Sequence, residues 1–157
     1  NVNIVPLERD FSKLRVYGVG KHGLFPPSKT LDCGNSGTTL RLMMGLLAGQ
    51  QFATTLTGDH SLRKRPMARV QTPLSQMGAL IELTEQQYAP LHITPCPSLK
   101  AIQYELPIPS AQVKSAILLA SLFAPEGETT IIQETQKTRD HTERMLMSMG
   151  CRWQVEN

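Results

Sequence analysis

The sequence has few aromatic residues, little net charge and no paired cysteines. Only 5% of its 157 residues are aromatic and its formal net charge is +3, which argues against an RNA-binding module because such modules use basic patches and stacking rings. Cys33, Cys96 and Cys151 are odd in number and form no C-x-x-C pair. Neither a disulfide framework nor a zinc site is therefore predicted, and we expect a reducing, cytoplasmic location.

The sequence also lacks a long apolar run. No stretch approaches membrane-spanning length and no basic-then-apolar leader opens the chain, so we expect no membrane partner. With 157 residues, 40% of them hydrophobic, the chain can form one ordinary core. We predict a single partial domain over residues 1–157. Because the chain has no initial Met and ends soon after an apparent strand, we expect it to be part of a longer protein.

A glycine-bounded turn that leads into an apolar helix is the most informative feature present. It occupies residues 31–41, where Gly34 and Gly37 permit close backbone approach and Ser36 or its neighbour Asn35 can cap the helix. Free amides and the helix dipole at such an N-terminus attract anions. The lysine of a P-loop is absent after Gly37. The turn predicts either an anion site or a plain helix cap.

The second half of the chain repeats the order of the first. Ser110 is expected to cap a second apolar helix, a Thr-Thr strand at 129–130 matches the one at 54–55, and Met149 matches Met77 before a helix-ending glycine. The offsets are 129 − 54 = 75 and 149 − 77 = 72 residues. Such self-similarity predicts a duplicated strand–helix–strand–helix–strand unit whose copies share a core. Chance agreement of common dipeptides is the alternative.

These patterns predict an α/β fold with two incomplete units. We assign residues 1–97 to the first unit, truncated at its start, and residues 98–157 to the second, truncated at its end. The two apolar helices are expected to be buried on all sides. Pro66 is expected in the first turn of a helix that Gly78 ends. Lys114, one turn into the second apolar helix, could face a ligand, but we expect it to snorkel to the surface.

Each unit also places basic residues in the loop after the strand that follows its apolar helix. The first unit has the run 63–65 and the second has Lys137 and Arg139. Two helix N-termini with two guanidinium groups would form a cradle for two anionic groups, because arginine binds phosphate or carboxylate through a planar fork. A solvated charge run is the alternative for 63–65. No histidine or cysteine pair has the spacing of a metal site or a nucleophile.

Four segments together resemble the EPSP synthase (3-phosphoshikimate 1-carboxyvinyltransferase) family: GNSGTTLR at 34–41, Gly58 to Met67, SAQVKSA at 110–116, and TRDHTE at 138–143. The resemblance covers almost the whole chain and implies part of the family's N-terminal domain. It implies repeated βαβαββ units in an inside-out α/β barrel domain, incomplete here. The implied activity is transfer of the enolpyruvyl group of phosphoenolpyruvate to the 5-hydroxyl of shikimate 3-phosphate, with release of phosphate. This is a step of aromatic amino-acid biosynthesis that uses no metal or organic cofactor, in a parent protein that is a monomer.

The resemblance also assigns roles to residues of the four segments. It implies that shikimate 3-phosphate contacts Ser110, Ala111, Gln112 and Arg139, that phosphoenolpyruvate contacts Gly37, Arg65 and Gln112, and that Asn35, Thr38 and Arg41 support the turn. The general base of the family lies in the second domain, so no catalytic residue is expected in this chain. We therefore expect the isolated chain to lack turnover, to expose apolar surface and to self-associate.

Two other functions are compatible with such a fold. A UDP-N-acetylglucosamine enolpyruvyl transferase has repeated units of the same kind, but that family carries a reactive cysteine in a loop that corresponds to 58–65, where this sequence has none. A non-catalytic anion-binding module is the alternative of a different class.

Overall fold

The computed structural model describes residues 2–154, which form a mixed α/β fold. The strands are β1 (Asn3–Pro6), β2 (Leu14–Tyr17), β3 (Leu31–Asp32), β4 (Thr54–Thr57), β5 (Leu80–Thr84), β6 (Tyr88–Thr94), β7 (Gln103–Leu106) and β8 (Ile131–Glu134), and the helices are α1 (Gly37–Ala48), α2 (Ala68–Gln76), α3 (Ala111–Ser121) and α4 (His141–Ser148). The order β3-α1-β4-α2-β5-β6 is followed by β7-α3-β8-α4, so the first four elements of the predicted repeat are present in both units of the described chain. The division at residues 97 and 98 stays a prediction.

Each apolar helix connects two parallel strands. Strand β3 pairs in parallel with β4 at one edge of a four-stranded sheet of order β3-β4-β6-β5, and β7 pairs in parallel with β8. Parallel neighbours need a crossover connection, and α1 and α3 supply it. Both helices therefore begin just beyond the carboxyl end of a strand, which is where ligands bind in many α/β folds. Strands β1 and β2 form a separate antiparallel hairpin.

The core lies between the four-stranded sheet and the helices. Leu40 and Met44 of α1 and Ala116 and Ile117 of α3 are all completely buried. The two helices approach so closely at Gly45 that a Cβ there would lie 2.1 Å from the carbonyl oxygen of Ala116.

The expectation of helices buried on all sides is wrong for their outer faces. The half-buried side chains on those faces are Leu42, Leu46, Leu118, Leu119 and Leu122. Each helix packs on one side against the core, so its far side stays partly open to solvent.

Several local predictions differ from the structure. Pro66 lies before α2 rather than in its first turn, because the amide of Met67 donates to the carbonyl of Gln87 at 2.6 Å and the helix starts at Ala68. Thr129 and Thr130 precede β8, whose pairing with β7 begins at Ile131. Residues 151–154 form no strand, and the rest of the strand expected before Asn157 lies outside the described residues.

The expectation that Lys114 snorkels to the surface is also wrong. Its side chain is 7% exposed, and its ammonium lies 2.7 Å from Glu134 Oε2 and 2.6 Å from Glu143 Oε1. Two carboxylates within hydrogen-bond distance offset the cost of removing the ammonium from water. The side chain is therefore held inside the protein and is not a free ligand group.

Candidate functional site

The turn before α1 is shaped by its own side chains. Gly34 has a φ of +55°, and its amide donates to Asp32 Oδ1 at 2.8 Å. Ser36 is the cap of α1, since its Oγ accepts a hydrogen bond from the amide of Thr39 at 3.1 Å. The cap predicted from the sequence is thus present, while the first amides of the helix remain available to a ligand.

Asn35 connects this turn to the loop that follows β4. Its Nδ2 donates to Asp59 Oδ2 at 2.7 Å, and its Oδ1 accepts from Arg65 Nη2 at 3.0 Å. Hydrogen bonds from the Leu62 amide and then from Asn35 lower the pKa of Asp59. The network holds the Arg65 guanidinium over Gly37, where a Cβ would lie 3.3 Å from Arg65 Nη1. Asn35 thus ties the turn before α1 to the loop after β4, and its expected role as a supporting residue of a substrate site stays a prediction.

Gln112 joins the two helix N-termini. Its Oε1 accepts from Arg41 Nη1 at 2.8 Å and its Nε2 donates to Thr38 Oγ1 at 2.7 Å. Arg41 also donates to the carbonyl of Pro66 at 3.2 Å. These bonds link α1, α3 and the loop before α2, so side chains from both repeated units meet at one place.

The site brings together three guanidinium groups, those of Arg41, Arg65 and Arg69. Burial lowers the pKa of Arg41, and the nearby Arg65 and Arg69 guanidinium groups lower it further. None of the three forms an ion pair with a carboxylate of residues 2–154. A cluster of guanidinium groups beside a helix N-terminus is suited to a phosphate or carboxylate group. We call Gly37, Arg41, Arg65, Arg69 and Gln112 the cationic cluster.

Arg69 was missed by the sequence analysis. It is the second residue of α2, where a positive side chain opposes the helix dipole. A residue that breaks such a local rule is often retained for function, and this conflict was the signal available in the sequence.

The remaining expected site residues lie around the start of α3 and in the loop before α4. Ser110 caps α3, accepting from the amide of Val113 at 3.4 Å, and Ala111 and Gln112 form its first turn. Arg139 is exposed in the loop between β8 and α4 and has no hydrogen bond to the cationic cluster within the described residues. The structure therefore brings Gln112 and Arg65 to one site. Arg139 makes no hydrogen bond to this site among the described residues.

Other kinds of site find little support in the described part of the chain. Residues 2–154 contain no group of three or more His, Cys, Asp or Glu side chains that could hold a metal ion. No helix among them is long and apolar enough to cross a membrane. Two surface cavities of about 460 and 210 Å³ lie elsewhere, beside Arg63 and Lys64 and beside Lys29 and His92.

Comparison with known proteins decides the family. The model of the EPSP synthase (3-phosphoshikimate 1-carboxyvinyltransferase) family matches residues 2–157. The chain belongs to the EPSP synthase family. The 3-phosphoshikimate 1-carboxyvinyltransferases of Methylococcus capsulatus and Hydrogenovibrio crunogenus are 59% and 57% identical to it over 88% and 90% of the chain. Each alignment covers 31% of the relative, so the chain spans about a third of the length of the curated relatives it matches.

A solved EPSP synthase confirms the fold. The enzyme from Acinetobacter baumannii matches 99% of this chain with a TM-score of 0.92 and 49% sequence identity, over 34% of its own chain. The predicted enolpyruvyl transferase-like α/β fold is therefore confirmed for the part of the EPSP synthase fold that the chain spans. The predicted contacts with substrate stay predictions.

Proposed function

We propose that the protein acts in the cytoplasm, where it transfers the enolpyruvyl group of phosphoenolpyruvate to the 5-hydroxyl of shikimate 3-phosphate and releases phosphate. The chain would supply one face of the substrate site. The observation that carries this proposal is the bridge made by Gln112, which joins the N-termini of α1 and α3 beside Arg41 and Arg65. Two anionic substrates need two adjacent anion sites, and the two helix N-termini joined by Gln112 would supply them.

Each of the two helix N-termini would bind one of the two substrates. Gly37 and Arg65 would bind the phosphoenolpyruvate side, since the absent Cβ leaves room beside the guanidinium. Ser110, the backbone of Ala111 and Arg139 would bind shikimate 3-phosphate at the start of α3. Gln112 lies between them and would fix the distance between the two reacting groups. Holding both reactants in one geometry lowers the entropic part of the barrier.

The cationic cluster binds and orients but does not transfer protons. Asp59, which interacts with Arg65, has a carboxylate that accepts hydrogen bonds from the Leu62 amide and from Asn35. Its lowered pKa keeps it ionised at neutral pH, so it is not a proton donor. We assign no catalytic residue to the described part of the chain, and the alkene protonation belongs to groups elsewhere in the enzyme.

A chimeric enzyme tests the proposed activity. In this chimera, the matching 34% of the Acinetobacter baumannii EPSP synthase is replaced by the present chain. We expect phosphate release that requires both phosphoenolpyruvate and shikimate 3-phosphate. A chimera that has the circular dichroism and melting temperature of its parent but releases no phosphate would contradict the proposal. Binding of both substrates without release would instead favour the non-catalytic anion-binding module.

The contribution of Gln112 is measured in the same chimera. A hydrogen bond to a charged group contributes about 1.5–3 kcal/mol, so Gln112→Ala is expected to lower kcat/KM by at least about tenfold. Gln103→Ala is the matched control, because Gln103 is an exposed glutamine of β7. Equal activity of the two variants would remove Gln112 from the proposed site.

A further inference from the structure

A buried ion cluster is centred on Lys114, four residues along α3 from Ser110 of the proposed shikimate 3-phosphate site. Lys114 Nζ lies 2.7 Å from Glu134 Oε2 and 2.6 Å from Glu143 Oε1, and the three side chains are 7%, 16% and 9% exposed. Burial disfavours the charged lysine, yet the hydrogen bonds to Glu134 and Glu143 outweigh it and raise the pKa of Lys114. The ammonium therefore stays charged at neutral pH. The expected substrate contacts do not include any of these three residues.

The cluster holds both ends of one loop. Glu134 is the last residue of β8 and Glu143 lies in the first turn of α4, so the loop between them, residues 135–140, is fastened on each side to the same ammonium. Thr138 adds a third attachment, since its hydroxyl donates to Glu134 Oε1. Arg139 is the next residue along the chain.

The same ammonium belongs to α3, whose N-cap is Ser110. The amide of Lys114 donates to the carbonyl of Ser110 at 3.1 Å, and four residues of α-helix span about 6 Å. Besides the ion pair of Lys114 with Glu143, a hydrogen bond joins α3 to α4: the hydroxyls of Ser115 and Thr142 lie 2.7 Å apart. The two ends of the loop that carries Arg139 are thereby tied to Lys114, four residues after the helix cap Ser110.

The dependence of the loop on Lys114 follows from charge. Two carboxylates share one ammonium, and the second oxygen of Glu143 is buried without a hydrogen-bond partner among the described residues. Without the ammonium, two buried negative charges would face each other. Repulsion and hydration would then draw β8 and α4 away from α3.

We propose that Lys114 is a positioning residue, which sets Arg139 against Ser110 and Gln112 so that they bind the phosphate of shikimate 3-phosphate together. This inference rests on the proposed function. Lys114 itself touches neither substrate, because its ammonium is enclosed by Glu134 and Glu143. It acts through the loop at 135–140.

The first test needs no ligand and uses ¹⁵N relaxation of the chain. In a rigid loop the order parameter of the Arg139 amide is about 0.85, and below about 0.6 it is flexible. We expect Lys114→Met to move the Arg139 amide to the flexible range. Lys100→Met, at an exposed lysine, is the matched control and is expected to change nothing. An Arg139 amide as rigid in Lys114→Met as in the wild-type chain would overturn the proposal.

A milder variant covers the case in which Lys114→Met fails to fold. Thr138→Val removes the hydroxyl bond to Glu134 while both ion pairs remain. We expect it to raise the mobility of the Arg139 amide at an unchanged melting temperature. A loop of unchanged order in Thr138→Val would also overturn the proposal.

A double-mutant cycle on the affinity for shikimate 3-phosphate tests whether Lys114 acts through Arg139. We expect Arg139→Ala to weaken binding about tenfold and Lys114→Met about fivefold, and the double variant to bind no more weakly than Arg139→Ala alone. Losses that multiply to about fiftyfold would show an independent structural effect and overturn the proposal. The affinity for phosphoenolpyruvate is expected to stay within twofold.

The two proposals fail in different ways. If the wild-type chain does not bind shikimate 3-phosphate, the proposed function is contradicted, and the order parameter of Arg139 still decides the role of Lys114. If the wild-type chain binds the ligand and Lys114→Met binds it equally well, the role of Lys114 is contradicted and the proposed function stands.

Discussion

The contact between α1 and α3 gives the sharpest prediction about stability. A Cβ at Gly45 would lie 2.1 Å from the Ala116 carbonyl oxygen and 2.8 Å from its carbonyl carbon. These are backbone atoms, so no side-chain rotation can relieve the overlap. In Gly45→Ala the two helices must move apart by about an ångström or more to restore ordinary van der Waals contact.

We expect Gly45→Ala to lower the free energy of unfolding, whereas replacing glycine by alanine inside a helix usually raises it. In a helix interior, alanine is favoured over glycine by about 1 kcal/mol, whereas overpacking of a well-packed core costs about 1–3 kcal/mol and occasionally more. With backbone atoms in the way, we place the overlap at or above the upper end of that range. The expected result is a net loss of about 2 kcal/mol, which lowers the melting temperature by roughly 4–8 °C.

Thermal and urea unfolding of the dilute chain, followed by circular dichroism, measure this effect. Gly18→Ala is the matched control, because a Cβ at Gly18 meets nothing within 4 Å, and we expect it to change the free energy of unfolding by less than about 0.5 kcal/mol. Gly45→Ala is also expected to weaken ligand binding, since the bonds of Gln112 cross the same helix pair. A Gly45→Ala chain as stable as the wild type would refute the close packing of α1 on α3.

Four further predictions concern acid stability, the buried ion cluster, turnover and association. The pKa of Asp59 is lowered in the folded chain by hydrogen bonds from the Leu62 amide and Asn35, so the contribution of Asp59 to the free energy of unfolding is present above about pH 4 and is lost as the pH falls through the folded pKa. In urea unfolding, the difference in stability between wild type and Asp59→Asn should therefore shrink in acid, and a constant difference would contradict this. Lys114→Met is expected to lower the free energy of unfolding, measured in urea, by roughly 3–5 kcal/mol. Replacing Glu134 and Glu143 by leucine in addition should recover most of this loss, and a Lys114→Met chain as stable as the wild type would contradict a buried ion pair. The isolated chain is expected to release no phosphate from the two substrates above background, since the resemblance places the general base in the other domain, and robust release in an enolpyruvyl-transfer assay would contradict this. Exposed apolar side chains such as Phe11 and Met149, 68% and 72% exposed, predict self-association of the isolated chain in sedimentation, and a clean monomer at high concentration would count against it.

The repeat and the turn were predictable from the sequence because their signals are local. Glycines, helix caps and the positions of apolar residues act within a few residues of one another, so the order of strands and helices and the cap at Ser36 could be predicted. The ends of the strands were harder to predict. Thr129 and Thr130 lie outside β8 because its pairing with β7 starts at Ile131.

Contacts between distant residues were not predictable in the same way. Gln112 meets Thr38 across 74 residues of sequence, and only the packing of α1 on α3 brings them together. Lys114 was placed at the surface because its partners, Glu134 and Glu143, follow 20 and 29 residues later and carry no sign of the pairing. The resemblance to the EPSP synthase family named the site residues, while the structure shows how Gln112 connects them.

Titration of the ¹⁵N-labelled chain with phosphoenolpyruvate and shikimate 3-phosphate tests most directly whether the two helix N-termini form one substrate site. We predict that shikimate 3-phosphate shifts the amides of Ser110, Ala111 and Gln112, that phosphoenolpyruvate shifts those near Gly37, and that both ligands shift the side-chain amide of Gln112. Amides that do not respond to either ligand at millimolar concentration would contradict the account.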